Sequence, residues 1–89
     1  MTHEQRTIVF IGRVQGVGFR MTAVQFARGT ALSGTVRNLP TGEVELIAQG
    51  PPGELDDLVS RLGEHFGAQS RTVHKVPCAA KPPGIRITH

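Results

Sequence analysis

The sequence predicts an α+β fold in which two helices cover one face of a mostly antiparallel sheet. Apolar residues alternate with polar ones in the segments expected to be strands, and they recur at helical spacing in two other segments. These segments follow one another in the order β-α-β-β-α-β, which is the order of a ferredoxin-like α/β sandwich. With 89 residues, the chain is long enough for one domain with one core, spanning 1–89.

The first strand and the first helix lie on either side of a glycine-rich stretch. The apolar run Ile8–Ile11 predicts a strand over about 7–13. A helix is predicted over 20–32, because four residues there share the i, i+3, i+4, i+7 spacing of one helical face: Ala23, Phe26, Ala27 and Thr30. The dipeptide Ser33-Gly34 is expected to end it.

A β-hairpin and a second helix follow. The segments 35–39 and 43–49 flank Pro40-Thr41-Gly42, whose residues are typical of a turn. Pro52 suits the first turn of a helix that Gly67 would end, and its apolar positions have helical spacing: Leu55, Leu58, Val59, Leu62 and Phe66. A further strand is expected over 70–76, and the segment 85–88 fits a short fifth strand at the sheet edge.

This topology brings two distant segments together. A right-handed crossover makes the first and second strands parallel, with the third strand antiparallel between them. Both parallel strands then finish at the same edge of the sheet. Residues 14–20 and 37–39 are therefore expected to lie close in space.

The glycine-rich loop, residues 12–20 with the sequence GRVQGVGFR, is expected to bind an anion. A P-loop requires GxxxxGK[ST], and a dinucleotide fingerprint requires a glycine where Met21 stands, so neither nucleotide motif is present. A flexible loop that leads into a helix N-terminus offers backbone N–H groups to a phosphate-sized oxyanion. Gly16 and Gly18 would let the ligand approach the main chain, and the guanidinium of Arg20 can engage two phosphate oxygens.

The loop GRVQGVGFR, followed by SGTVRN and GEVE, resembles the acylphosphatase family over Val9 to Gly50. The resemblance implies metal-independent hydrolysis of the carboxyl-phosphate bond of small acyl phosphates, without a cofactor. It implies that Arg20 binds the phosphoryl group and that Asn38 orients the attacking water. It further implies that the loop amides bind phosphate, and these belong to Gln15, Gly16, Val17, Gly18, Phe19 and Arg20. Arg13 and Arg37 match no catalytic position of the family.

Two other functions stay open at this point. A non-catalytic phosphate- or effector-binding module would share the fold and the loop. A nucleic-acid-binding role is suggested by the basic character of the chain, which has ten Lys and Arg against seven Asp and Glu. However, the predicted strand 43–49 has no aromatic residue on which a base could stack. We therefore expect no nucleic-acid partner.

Composition also bears on metal binding, membrane association and cellular location. The single cysteine, Cys78, cannot form an internal disulfide, and the four histidines are scattered, so no structural metal is expected. No apolar run approaches the roughly 20 residues of a membrane span, and residues 1–6 do not look like a signal peptide. The sequence is thus expected to give a cytoplasmic monomer with no membrane association.

Overall fold

The computed structural model describes residues 3–15 and 18–89 and contains two helices on a five-stranded sheet. The elements in chain order are β1 (His3–Ile11), α1 (Phe19–Ala27), β2 (Ser33–Asn38), β3 (Val44–Gly50), α2 (Pro52–Phe66), β4 (Gln69–Cys78) and β5 (Gly84–Ile87). The strand order across the sheet is β4-β1-β3-β2-β5. The pairs β1–β3, β1–β4 and β2–β3 are antiparallel, whereas β2–β5 is parallel. The predicted ferredoxin-like α+β fold is confirmed, including the short fifth strand.

The core lies between the sheet and the two helices. On β3 the predicted alternation is confirmed, because Val44, Leu46 and Ala48 are buried and the residues between them are partly exposed. The phenyl ring of Phe19 lies between two other rings, with its centroid 4.8 Å from that of Phe10 and 4.9 Å from that of Phe66. Since Phe19 is the first residue of α1, this aromatic packing fixes the N-terminus of the helix against the sheet.

The boundaries predicted for β1 were wrong at both ends. The strand begins at His3, because its polar first residues complete ladders with β3 and β4 on either side. It ends at Ile11, before the predicted residue 13. Gly12 has φ +125°, a backbone conformation that L-residues avoid and that turns the chain out of the strand.

The first helix is shorter than the predicted 20–32. It begins at Phe19 and ends at Ala27, where Arg28 is extended and Gly29 has φ +79°. The predicted helical spacing ran past this end because it included Thr30, which is partly buried in the connection to β2 and whose Oγ1 donates to Ala27 O. Helical spacing alone does not distinguish a buried connecting residue from one more turn of helix.

The remaining elements agree with the predictions to within one or two residues. The hairpin turn is closed by Leu39 N–H donating to Glu43 O at 2.8 Å and by Gly42 N–H donating to Leu39 O at 3.1 Å. The second helix runs from Pro52 to Phe66 as predicted, and Gly67 ends it with φ +62°.

An ion-pair network ties β1 to α2 and β4 at the end of the sheet opposite the glycine-rich loop. Arg6, whose side chain is 10% exposed, donates to Asp56 at 2.6 Å and to Glu4 at 3.2 Å, and Lys75 lies 3.4 Å from Glu4. Burial acts to raise the pKa of Glu4, but the hydrogen bonds from Arg6 and Lys75 outweigh it and hold this pKa below its ordinary value. The pKa of Arg6 is raised, chiefly by its hydrogen bond to Asp56.

Within residues 3–15 and 18–89, neither helix has the length and apolar character needed to cross a membrane.

Candidate active site

The N-terminus of α1 and the end of β2 form one cavity of about 110 Å³, called the loop cavity below. It is lined by Val14, Gly18, Phe19, Arg20, Met21, Asn38 and Ile87. The two segments that the topology was expected to bring together thus share a single concave surface. Its volume is several times the roughly 10–15 Å³ that one water requires, so the cavity has room for a group of a few heavy atoms.

Three amides at the N-terminus of α1, next to this cavity, have no acceptor within the helix. Gly18 precedes the helix in the left-handed conformation, with φ 79° and ψ 18°. The helical hydrogen bonds begin with Thr22 N–H donating to Gly18 O at 3.0 Å, so the amides of Phe19, Arg20 and Met21 have no acceptor in their own helix. No acidic residue stands in the first turn, and the positive end of the helix dipole is therefore left for an anion.

Arg20 is the cation of the loop cavity. It is partly buried in the first turn of α1, and among the described residues no carboxylate forms an ion pair with it. Arg37 differs, because its Nε donates to Glu45 at 2.8 Å on the open face of the sheet. The guanidinium of Arg20 is thus available to a ligand, whereas that of Arg37 already has a carboxylate partner.

Asn38 reaches the loop cavity because of strand alternation. It shares the helix-facing side of β2 with Val36, which is fully buried, while Arg37 between them faces the other side. The neighbouring strand β5 contributes Ile87 to the same cavity, and Thr88 N–H donates to Val36 O at 2.9 Å to hold β5 in place. The side chain of Asn38 therefore lies on the rim of the cavity that also contains Arg20.

The side chain of Gln15 links the glycine-rich loop to the β2–β3 turn. Its Nε2 donates to Leu39 O and to Glu43 O, each at 2.8 Å. Leu39 directly follows Asn38, so these bonds tie the loop to the segment that carries the asparagine. Only the backbone amide of Gln15 was predicted to bind the ligand. This side-chain contact was not predicted, because the residues involved are 24 and 28 positions apart in the chain.

The other predicted site residues are distributed as follows. Gly18, Phe19 and Arg20 line the loop cavity. Gly16 and Val17 lie outside the described residues, so their predicted role stays a prediction. Arg13 is exposed and does not line the cavity. Met21 and Ile87 also line the cavity and were not predicted as site residues. The position of Met21 next to Arg20 was an available signal, whereas nothing in the sequence placed Ile87 near the loop.

The side chains of the loop cavity suit an anion. In the described part of the chain, the lining includes a guanidinium and a carboxamide but no carboxylate and no imidazole. Within residues 3–15 and 18–89, no three His, Cys, Asp or Glu side chains converge as metal ligands would. The fold and the cavity together define a small ferredoxin-like protein in which a helix N-terminus, an arginine and an asparagine line one cavity.

Comparison with known proteins identifies the family. The sequence pattern of the acylphosphatase family matches residues 6–87. The chain is 45% identical over 94 aligned residues to an acylphosphatase from Marinobacter nauticus, with full coverage of both chains. It is 47% identical over 88 residues to one from Synechococcus sp. (strain WH7803), covering 99% of this chain and 82% of that protein. The crystal structure of the acylphosphatase from Bacillus subtilis superimposes with a TM-score of 0.74 at 28% identity, covering 97% of this chain and 99% of the other.

The chain therefore belongs to the acylphosphatase family, as the resemblance of its loop implied. It is an acylphosphatase enzyme, a hydrolase that acts on small acyl phosphates. The catalytic interpretation thus prevails over that of a non-catalytic binding module.

Proposed function

We propose that the loop cavity is the active site at which this enzyme hydrolyses the carboxyl-phosphate bond of an acyl phosphate, releasing a carboxylate and inorganic phosphate. The observation that carries the proposal is that Arg20, Asn38 and the N-terminus of α1 line one cavity. An acyl phosphate already has a good leaving group, so the protein has only to position the phosphoryl group, neutralise its oxygens and direct a water in line.

The amides and Arg20 bind the phosphoryl group. The N–H groups of Phe19, Arg20 and Met21 lack partners in their helix, and the guanidinium of Arg20 has no carboxylate partner among the described residues. Such preorganised donors stabilise the negative charge of the transition state without reorganisation. The amides of Gln15, Gly16, Val17 and Gly18 complete this set in the proposal. No metal ion is required, because these groups supply the positive charge.

Asn38 orients the attacking water. Its carboxamide offers both a donor and an acceptor on the rim of the cavity, which is what holding a water in one orientation requires. No carboxylate or imidazole lines the described part of the cavity to serve as a general base. A phosphate oxygen of the substrate takes the proton of the water in this mechanism.

Replacing Arg20 tests phosphoryl binding. We expect Arg20→Ala to lower kcat/KM for benzoyl phosphate by about 10²–10³, the usual effect of removing one donor to developing charge. It should also raise the inhibition constant of inorganic phosphate. Arg28→Ala is the matched control, since Arg28 is exposed just beyond the other end of α1. Equal activities of the two variants would remove Arg20 from the mechanism.

Replacing Asn38 separates water positioning from binding. In Asn38→Ala we expect kcat to fall by about 10² or more, while inorganic phosphate still inhibits competitively with little change. Arg37→Ala is the control, because Arg37 is adjacent in sequence but pairs with Glu45 on the opposite face. Unchanged turnover in Asn38→Ala would contradict the assigned role. Assays with and without a chelator test independence from metal.

We also propose that the enzyme works as a monomer in the cytoplasm. Only three large apolar side chains are exposed in the described chain, and they lie on β1, α1 and β4: Ile11, Met21 and Val73. Light scattering after size exclusion tests the oligomeric state, and fractionation of cells tests the location.

A further inference from the structure

The loop cavity has an apolar side that phosphoryl binding does not use. Met21 lines the cavity from the first turn of α1 and is 55% exposed, more than any other large apolar side chain among the described residues. Ile87 lines the cavity from β5 and is partly buried against the core. Burial explains the apolar character of Val14 and Phe19 in the same cavity, each 1% exposed, but it does not explain that of Met21.

The exposed part of the lining indicates where an acyl group can lie. The cavity has room for a phosphoryl group, and Gly18 and Met21 of its lining are exposed to solvent. With the phosphoryl group at Arg20 and the helix amides, the acyl group must extend toward solvent past the exposed residues of the lining. Met21 is such a residue, and its unbranched thioether side chain adapts to apolar groups of different shapes.

We propose that Met21 and Ile87 form an acyl-binding surface, so that the enzyme favours acyl phosphates with an apolar acyl group over those with a small one. This inference rests on the proposed function, because it places the phosphoryl group in the loop cavity. Contact with an apolar acyl group removes the exposed part of Met21 from water, and this is favourable in proportion to the area covered. The parallel pairing of β2 with β5 gives Ile87 a fixed position on this surface.

The test compares kcat/KM for benzoyl phosphate and acetyl phosphate. In Met21→Ala we expect the ratio of kcat/KM for benzoyl phosphate to that for acetyl phosphate to fall by about three- to tenfold. This is less than the loss of one methylene costs in a closed pocket, because Met21 is half exposed. Met21→Leu should restore most of the ratio. Ile87→Val should lower it slightly and in the same direction. Val73→Ala is the control, because Val73 is 50% exposed on β4 and does not line the cavity.

Two outcomes would overturn this inference. One is an unchanged ratio in Met21→Ala, and the other is a ratio that falls equally in Val73→Ala. The inhibition constant of inorganic phosphate distinguishes this failure from failure of the proposed function. If the acyl-binding surface alone is wrong, Arg20→Ala still weakens inhibition by phosphate; if the cavity is not the active site, Arg20→Ala leaves that constant unchanged.

Discussion

Replacing Gln15 with methionine tests whether its side chain holds the glycine-rich loop at the distance from Asn38 that catalysis requires. Methionine keeps the length and approximate volume of the side chain but removes both N–H donors of Nε2. Leu39 O and Glu43 O each keep a second hydrogen bond, from Gly42 N–H and Leu39 N–H respectively. The substitution therefore leaves neither carbonyl without a partner.

The expected loss of stability follows from those two bonds. A hydrogen bond of this kind contributes about 0.5–1.5 kcal/mol, so Gln15→Met should lower the free energy of unfolding by about 1–3 kcal/mol. For a domain of this size, each kcal/mol shifts Tm by about 4–8 °C. Activity should fall further than stability suggests, because a displacement of about 1 Å between reacting groups costs up to 10² in rate.

The assay is kcat for benzoyl phosphate well below Tm, together with the inhibition constant of inorganic phosphate and a urea unfolding curve. We expect kcat to fall by about ten- to a hundredfold, with a smaller change in phosphate inhibition. Gln25→Met is the matched substitution, since Gln25 is exposed on α1. Val59→Ala provides a comparable loss of stability from α2, away from the cavity.

A Gln15→Met enzyme with kcat within about twofold of the unmodified enzyme would refute the positioning argument. An equal fall of kcat in Val59→Ala would refute it as well, because the effect would then reflect lost stability alone.

Two further predictions concern stability. Gly34 has φ +142°, and an added Cβ would collide with a carbonyl oxygen of β3. Gly34→Ala should therefore lower the free energy of unfolding, measured by urea titration, by about 3 kcal/mol or more. Gly53→Ala is the control and should not lower it, because a Cβ there meets open space. The lowered pKa of Glu4 means that its stabilising effect is complete above the ordinary glutamate pKa and is lost as pH falls through the lowered value. As pH falls below about 4, Tm should therefore decrease less in Glu4→Gln than in the control Glu64→Gln, whose site is exposed. Parallel curves of Tm against pH for the two variants would contradict the stabilising role of the Glu4–Arg6 pair.

Much of the fold could be predicted from local pattern. Both ends of the second helix could be predicted, because Pro52 suits a helix start, Gly67 suits a helix end, and the leucines between them have helical spacing. The ends of β1 and α1 were less predictable. The first residues of β1 are polar and form a strand only through pairing with β3 and β4. Thr30 continued the helical spacing of α1 although it lies in the connection to β2.

The candidate site likewise has one part that could be predicted from the sequence and one part that could not. The proximity of Val14, Gly18 and Arg20 to Asn38 followed from topology, since a right-handed crossover leaves little choice of strand order. The bonds from Gln15 to Leu39 and Glu43 did not follow, because a glutamine side chain can point in many directions and its acceptors are set by how the turn packs on the loop.

The amino-acid order alone determined the succession of strands and helices and the family, because these depend on residue types at short spacings. Only the tertiary structure decided that Ile87 of the last strand lines the same cavity as Arg20. It also decided that Arg37 has a carboxylate partner while Arg20 has none among residues 3–15 and 18–89. These facts depend on which strand edges meet and which face each side chain occupies. The meeting of strand edges and the face that each side chain occupies are both set by contacts between residues far apart in the chain.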